Sequence, residues 1–392
     1  MTAISRRKFT KLLSAAAGGL TLGAVASKLA SGKTTEQTNW LLPRGDAGST
    51  GRTEQTLPEK LDVLWEAKAG EAIEGSLVVG DGRVIGADVM GKVYAFDEKS
   101  GDPLWTRDFG TGFLTGVAPA VSGNTVVIGD YEGNVFALDA KTGEERWRKT
   151  TDGEVAGSDG FYEGNVLVPS SGCSLYSFAL EDGELKWTYD ANDQIRCSPT
   201  VAGDRTFLGG CDGNLHVIDL KTGKAASEPL PLGGPTGSTP SVIGTSAFVP
   251  IMDGDVLAFD FKTGKQLWRY RDPDRSQEYR NSPAATEDLV IVSSQFKQVD
   301  AISTKTGEHQ WRYTLKRRAE ASPVIAGEDV WLAASDGRLI RLSLTDGTEK
   351  WTYEVRGSFI ASPAIANERL YIADDDGVIR CFGSKTQVKK QG

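Results

Sequence analysis

The chain repeats one short motif at intervals of about forty residues, and this repeat restricts the possible folds more than any other feature. The clearest copies read small residue, x, Asp, x, x, Thr, Gly, x, x, x, Trp, as in Ala137 to Trp147 and Ala258 to Trp268. A tryptophan stands four residues after the glycine in six of seven copies, with Ser227 as the exception. The glycines are 40 to 43 residues apart and comprise Gly101, Gly143, Gly183, Gly223, Gly264, Gly307 and Gly347. Such a period is typical of propellers and solenoids, whose repeats cannot bury their apolar faces alone.

Each repeat contains signals for four short antiparallel strands. A pair such as Ser198-Pro199 begins the first strand, and a Gly-Asp turn separates it from the second. A tight turn such as Asp212-Gly213 then leads into the third strand, because glycine accepts a positive φ at low cost. The Thr-Gly turn of the motif leads into a fourth strand centred on the tryptophan. Four strands in about forty residues is the size of one propeller blade.

The two ends of the repeat array together supply one further blade. Residues 362–384 begin a repeat that lacks its tryptophan, and Leu61 to Trp65 is a fourth strand with no repeat before it. We therefore predict an all-β, eight-bladed β-propeller of four-stranded antiparallel blades. The N-terminal strand joins the C-terminal blade and closes the ring, which removes free sheet edges. The tryptophans should fill the gaps between neighbouring blades; they are Trp65, Trp105, Trp147, Trp187, Trp268, Trp311 and Trp351.

The N-terminus predicts export. Ser5-Arg6-Arg7-Lys8-Phe9 resembles the twin-arginine signal for folded proteins, and Ala24-Val25-Ala26 ends a mildly apolar stretch as a small-x-small cleavage site. An ordinary signal with a chance arginine pair is the alternative. We predict a signal peptide over 1–26, a linker and lead-in segment over 27–60, the propeller over 61–384 and a tail over 385–392. The leader is too short and too weakly apolar for a stable membrane anchor. We expect a soluble, monomeric periplasmic or extracellular protein.

Charge and residue counts exclude several classes of function. The net charge is −9, and it becomes −13 without the four basic residues of the leader. An acidic surface repels phosphate backbones, so we expect no nucleic-acid partner. The two histidines, His216 and His309, are too few for a catalytic triad or a multi-histidine metal site, and we expect no metal. Cys197 and Cys211 flank a predicted hairpin turn and could form a disulfide, with buried free thiols as the alternative.

The residues just ahead of each Ser-Pro position should begin the innermost strand and surround the axial channel. In chain order they are Glu74, Gly116, Ala156, Arg196, Gly237, Arg280, Glu320 and Ile360. Two arginines and two glutamates, with Tyr279 and Asn281 beside them, predict a site for an anionic ligand or a peptide centred on Arg196 and Arg280. A water-filled channel with solvated charges is the alternative.

The repeated motif resembles the tryptophan-docking motif of the quinoprotein-type β-propellers, over about residues 61–384. The segment from Trp40 to Asp46 is also similar to a short Trp-x-x-x-Arg-Gly lead-in that precedes many exported propellers. The resemblance implies one of two branches. One branch contains dehydrogenases that hold pyrroloquinoline quinone and calcium in the central funnel. The other contains non-catalytic members, including BamB-like scaffolds of outer-membrane assembly.

The residues present favour the second branch. The resemblance implies that an enzyme would carry two adjacent cysteines and long insertions over the funnel. Here the cysteines are Cys173, Cys197, Cys211 and Cys381, and the regular motif spacing leaves no room for a lid. We expect a non-catalytic, cofactor-free scaffold for a protein, a peptide or an envelope polymer. A dehydrogenase of alcohols or sugars with pyrroloquinoline quinone and calcium is the first alternative. A small-molecule binding or sensor protein that uses the funnel is the second.

Overall fold

The computed structural model describes residues 38–386, so the predicted signal peptide and residues 27–37 and 387–392 lie outside the described residues. Eight sheets, each built on four antiparallel strands, form an eight-bladed β-propeller. This confirms the predicted fold. Two strands precede the first blade, namely β1 (Arg52–Thr53) and β2 (Asp62–Lys68).

The strands of the first four blades follow one another in chain order. Blade 1 contains β3 (Val78–Gly80), β4 (Arg83–Ala87), β5 (Lys92–Asp97) and β6 (Pro103–Asp108). Blade 2 contains β7 (Ala120–Ser122), β8 (Thr125–Gly129), β9 (Asn134–Asp139) and β10 (Glu145–Thr150). Blade 3 contains β11 (Gly160–Tyr162), β12 (Asn165–Pro169), β13 (Ser174–Ala179) and β14 (Leu185–Asp190). Blade 4 contains β15 (Thr200–Ala202), β16 (Arg205–Gly209), β17 (Asn214–Asp219) and an outer strand in two pieces, β18 (Lys224–Ala225) and β19 (Leu230–Pro231).

The remaining blades have the same order, except that the last one borrows a strand. Blade 5 contains β20 (Ser241–Ile243), β21 (Ser246–Pro250), β22 (Asp255–Asp260) and β23 (Lys265–Arg271). Blade 6 contains β24 (Ala284–Ala285), β25 (Leu289–Ser293), β26 (Gln298–Ser303) and β27 (His309–Thr314). Blade 7 contains β28 (Val324–Ala326), β29 (Asp329–Ala333), β30 (Arg338–Ser343) and β31 (Glu349–Glu354), with β1 added in parallel. Blade 8 contains β32 (Ala364–Ala366), β33 (Arg369–Ala373) and β34 (Val378–Gly383), and β2 is its outer strand.

The ring is closed by the N-terminal strand, as predicted. Strand β2 pairs with β34 in antiparallel register from Asp62 opposite Gly383 to Lys68 opposite Val378, and Trp65 lies opposite Cys381. An ion-paired arginine supports this ladder. The Arg380 Nε lies 2.9 Å from a Glu66 carboxylate oxygen, and its Nη1 lies 2.5 Å from a carboxylate oxygen of Asp374. The ladder therefore joins the two ends of the array through both backbone and side-chain bonds.

Indole groups connect neighbouring blades at six of the eight junctions of the ring. Each indole N–H donates to the carbonyl that lies three residues before the motif glycine of the following blade, at 2.7–3.1 Å. The glycine is required because the ring lies against it: a Cβ on Gly143 would lie 2.6 Å from the Trp105 ring, and the φ of Gly143 is +69°. The donor–acceptor pairs are Trp65–Glu98, Trp105–Ala140, Trp147–Leu180, Trp187–Leu220, Trp268–Thr304 and Trp311–Leu344.

Trp351 packs differently from these six tryptophans. Blade 8 takes its outer strand from the start of the chain, so it has no Thr-Gly turn to receive an indole. The Trp351 ring instead lies edge-on to Phe382 and to Trp331, with centroids 6.1 Å and 5.8 Å away. This junction is therefore an aromatic cluster in place of a hydrogen-bonded indole contact.

Hydroxyl groups connect the innermost strands and explain the Ser-Pro motif. At six successive junctions a backbone N–H donates to the serine or threonine hydroxyl at the matching position of the next blade, at 2.8–3.0 Å. The accepting residues are Ser158, Ser198, Thr239, Ser282, Ser322 and Ser362. These bonds hold the channel wall in a fixed geometry because each donor and acceptor belongs to a different blade.

Candidate binding site around the central channel

Residues 38–57, which we call the inner belt, run along the innermost strands of the ring. Trp40 pairs with Val79 through two backbone bonds of 2.8 Å. Six further carbonyls of the belt accept backbone N–H groups from five other blades. These carbonyls are those of Leu41, Ala47, Gly48, Thr50, Gly51 and Thr53. The belt packs as part of the propeller, although the sequence predicted a linker and lead-in segment there.

Arg44 anchors the belt inside the ring. Its side chain is buried, and its Nη2 donates to the carbonyls of Pro283 at 2.9 Å and Pro323 at 2.8 Å. Both acceptors belong to the Ser-Pro positions of blades 6 and 7. Burial lowers the pKa of Arg44 to about 10, against a smaller opposing effect of Asp46. The guanidinium therefore remains charged at neutral pH and is held by backbone oxygens.

The four charged channel residues predicted from the sequence each pair with a near neighbour. The exposed Arg196 donates to Gln194 Oε1 at 2.7 Å, and the exposed Arg280 donates to Glu278 at 2.5 Å. Glu74 accepts from the Thr115 hydroxyl at 2.5 Å, and Glu320 pairs with Arg318. These residues occupy equivalent loops between an outer strand and the next innermost strand. The structure therefore gives a circle of separate charges and does not join Arg196 to Arg280.

Tyr279 and Asn281 do not line the channel, which corrects the sequence-based expectation. Both side chains are buried, whereas the side chain of Arg280 between them is exposed. This follows because successive residues of an extended segment point to opposite sides. The Asn281 amide donates to Ser293 Oγ at 2.9 Å and to the Ala319 carbonyl at 2.8 Å. The Tyr279 hydroxyl has no hydrogen-bond partner within residues 38–386, and burial raises its pKa well above the ordinary value.

The structure also separates the two cysteines proposed for a disulfide. Cys211 is exposed and its backbone N–H bonds to Gln194, which is three residues before Cys197. Cys197 is buried, and its sulfur accepts from the Gly209 N–H at 3.1 Å. Both cysteines are free thiols. Burial raises the pKa of Cys197 to about 12, so this thiol is unreactive at neutral pH.

The residues around the channel do not fit pyrroloquinoline quinone and calcium. Within the described residues, no group of three or more His, Cys, Asp or Glu side chains is placed to hold a metal ion. The two channel glutamates, Glu74 and Glu320, belong to different loops and are bonded to Thr115 and Arg318. The cysteines are not adjacent in the sequence, so they cannot form the vicinal pair of the dehydrogenase branch.

Asp159 is a buried acid that sequence reasoning did not single out. It replaces the proline of the Ser-Pro motif, and this substitution was the available signal. Neither carboxylate oxygen has a hydrogen-bond partner within residues 38–386. Burial raises the pKa of Asp159 well above the ordinary value. The residue lines a cavity of about 20 Å³, large enough for one water molecule, beneath the belt residues Leu42 and Pro43.

We expect Asp159→Asn to stabilise the protein by about 1–3 kcal/mol at pH 8. The buried carboxyl group without a partner costs free energy there either as an ion or because folding must add a proton to it, and the amide avoids this cost. A raised folded-state pKa favours folding only while the carboxyl group is protonated. Its contribution is complete below the unfolded value of 3.8 and is lost as the pH rises through the folded value. The benefit of the substitution should therefore shrink as the pH is lowered towards 4. Urea unfolding of both proteins at several pH values measures this, with the exposed Asp182→Asn as control. Destabilisation at pH 8 would show that the carboxylate has a counter-ion.

Comparison with known proteins identifies relatives of one kind. The sequence matches the family model described as outer membrane protein assembly factor BamB over residues 89–255 and 252–386. The assembly factor BamB of Burkholderia pseudomallei (strain K96243) is 29% identical over 296 residues, covering 71% of this chain and 76% of that protein. BamB of Shewanella oneidensis is 24% identical over 188 residues, covering 43% of this chain and 48% of that protein.

Solved structures with similar coordinates show the fold alone, because their sequence identities are low. The crystal structure of BamB from Moraxella catarrhalis has a TM-score of 0.72 and 22% identity, covering 83% of this chain and 98% of that chain. The quinohemoprotein alcohol dehydrogenase of Comamonas testosteroni has a TM-score of 0.75 and 15% identity, covering 88% of this chain and 81% of that chain. A BamB and a quinohemoprotein alcohol dehydrogenase thus both have this fold, so the fold alone does not decide the function.

Proposed function

The chain belongs to the family of the outer membrane protein assembly factor BamB, and on this premise we propose that it is a non-catalytic scaffold that binds a protein or peptide partner in the cell envelope. The relatives' name supports a role in outer-membrane protein assembly. The fold supports the scaffold role because its blades are joined by side-chain bonds at both the inner and the outer strands. A rigid ring presents loops in a fixed arrangement, which suits partner binding.

One observation carries the proposal: Arg196 and Arg280 are exposed on equivalent loops of an acidic protein. Within residues 38–386 each guanidinium has one side-chain partner, Gln194 or Glu278, so donors remain for another molecule. Arginine forms two parallel hydrogen bonds with a carboxylate, and carboxylates are abundant on acidic peptide segments. The circle of loops that contains both arginines, here called the loop face, is therefore the proposed partner surface.

The proposed location is the periplasm or the extracellular space, and the support is the leader. The twin-arginine-like pattern at residues 5–9 and the small-x-small site at residues 24–26 support export of a folded protein. Within residues 38–386, no helix combines the length and the apolar character that a membrane span requires. A protein partner, without nucleic acid, is also in keeping with the net charge of −9.

Replacing Arg196 and Arg280 by alanine is expected to reduce recovery of the envelope partner by about tenfold or more, because charge-assisted bonds are lost. The matched control is Lys221→Ala with Lys305→Ala, since both lysines are exposed, ion-paired and located on Thr-Gly turns outside the loop face. Tagged proteins would be cross-linked in cells, purified from envelope extracts and quantified by mass spectrometry. Equal recovery of the same partner by the two double variants would contradict the proposal.

A further inference from the structure

The junction between blades 4 and 5 lacks the indole that fills the equivalent position elsewhere. Ser227 stands at the tryptophan position, and the outer strand of blade 4 is interrupted there between β18 and β19. Residues 226–229 lie between these two pieces, and Ser227 is exposed, with its hydroxyl donating to the Glu228 carbonyl at 3.0 Å. Strand β17 pairs with β18 and β19 at its two ends, so the break lies opposite His216 and Val217.

The missing indole leaves a groove of about 610 Å³ between the two blades. This volume lies within the range of about 300–1,000 Å³ that is typical of ligand sites in proteins. Val217 and Phe261 are buried residues of its wall, while Asp204 and Lys262 are exposed at its rim. The groove thus combines an apolar wall with a charged rim.

The surroundings of Gly264 show the space that the missing indole leaves. It is exposed, whereas the other six motif glycines are buried or half-buried beneath an indole or its neighbours. A Cβ added to Gly264 would meet one atom within 4 Å, the Cδ2 of Leu230 at 3.4 Å. The equivalent atom on Gly223 would meet the Trp187 ring at 2.6 Å. Leu230 therefore fills only part of the space that an indole fills elsewhere.

The hydrogen-bond acceptor for an indole is also present. At the six junctions that hold a hydrogen-bonded indole, the residue three before the motif glycine accepts the indole N–H, and here that residue is Phe261. In the part of the chain that the structure describes, no donor is bonded to the Phe261 carbonyl. The groove consequently retains both the space and the polar partner of an indole.

We propose that this groove binds a tryptophan side chain supplied by an extended segment of a different protein. The other junctions indicate the occupant, because the equivalent position at six of them holds an indole carried on an extended outer strand. A tryptophan at an interface buries a large apolar area and donates one hydrogen bond. The side chains of Val217 and Phe261 offer an apolar surface for the ring, and the Phe261 carbonyl can accept the bond. The groove is separate from Arg196 and Arg280, so the inference stands without the proposed role of the loop face.

The probe is a labelled synthetic peptide with the sequence of residues 183–191 of this chain, which carries an outer-strand tryptophan in its native setting. Fluorescence anisotropy with the purified protein should show saturable binding. The same peptide with alanine at the tryptophan position should bind about tenfold more weakly or worse, because the aromatic anchor is lost. In the protein, Ser227→Trp should reduce binding of the probe by a similar factor, since its own indole would fill the groove.

Ser227→Ala and Glu308→Trp are the matched controls, because the first leaves the groove open and the second adds an exposed indole on a distant turn. Both should bind the probe like the wild-type protein. Hydrogen–deuterium exchange provides a second test that needs no variant: the probe should protect residues 224–231. Equal binding of the tryptophan and alanine peptides, unchanged binding by a folded Ser227→Trp protein, or protection elsewhere would overturn the proposal. Wild-type dimers that Ser227→Trp dissolves would instead identify a second copy of this chain as the occupant and would also overturn it.

Discussion

Replacing Trp147 by alanine should lower the free energy of unfolding by about 3–5 kcal/mol, the range for removing a buried large aromatic side chain. The indole is 8% exposed and donates to the Leu180 carbonyl at 2.9 Å. It also lies against Gly183 of the next blade and packs beside Phe178. The alanine variant would lose this contact area and leave the Leu180 carbonyl without its donor. Both losses occur at a junction between blades, so the ring as a whole should be weakened.

The repeat provides a matched control for this measurement. Ser227→Ala changes the same position of the motif in blade 4, where the side chain is exposed, and should alter the free energy of unfolding by less than about 0.5 kcal/mol. Equilibrium unfolding in urea, followed by tryptophan fluorescence and by circular dichroism, measures both variants. A change of less than about 1 kcal/mol for Trp147→Ala would mean that the indoles do not hold the blades together.

A disulfide between Cys residues placed at Lys68 and Val378 should form readily and stabilise the protein by up to about 5 kcal/mol. These residues lie directly opposite each other in the ladder between β2 and β34. Opposite residues of an antiparallel pair have Cα atoms about 4.5–5.5 Å apart, which a disulfide can span. The bond would close a loop of about three hundred residues, and long loops yield the largest entropic gain.

Migration on non-reducing gels and thermal unfolding with and without reductant measure this effect. Lys68→Cys combined with Lys186→Cys is the control, because Lys186 lies on the outer strand of blade 3 and should not reach position 68. Failure of the first pair to cross-link, or formation of intermolecular dimers in its place, would show that the N-terminal strand does not complete the last blade of its own chain.

The fold was predictable because the repeat carries its own geometry. Five of the six tryptophans that follow a turn glycine at one fixed distance make equivalent junctions, and Trp65 makes a sixth because its strand completes the blade that contains Cys381. The serines of the Ser-Pro positions also make one repeated contact, since each accepts a hydrogen bond from the preceding blade. Periodic sequence therefore specified periodic structure.

The features that the sequence did not predict are those that the forty-residue repeat does not determine. The inner belt has no repeat, so nothing in its sequence showed that Arg44 would be buried against Pro283 and Pro323. Tyr279 and Asn281 were placed in the channel with Arg280, but alternation along an extended segment turns both away from it. The motif determines which residues form each strand, whereas the direction in which a loop side chain points depends on the local backbone.

Cross-linking from the loop face tests the proposed scaffold function most directly. A photo-reactive amino acid would replace Ser276, an exposed residue of the same loop as Arg280, in one strain and Lys305, on a Thr-Gly turn, in another. Illumination of intact cells should yield a covalent adduct with a defined envelope protein from position 276, and the same adduct should be absent or weak from position 305. Strong and equal adducts from both positions, or none from position 276 while the protein is correctly exported, would contradict binding through the loop face.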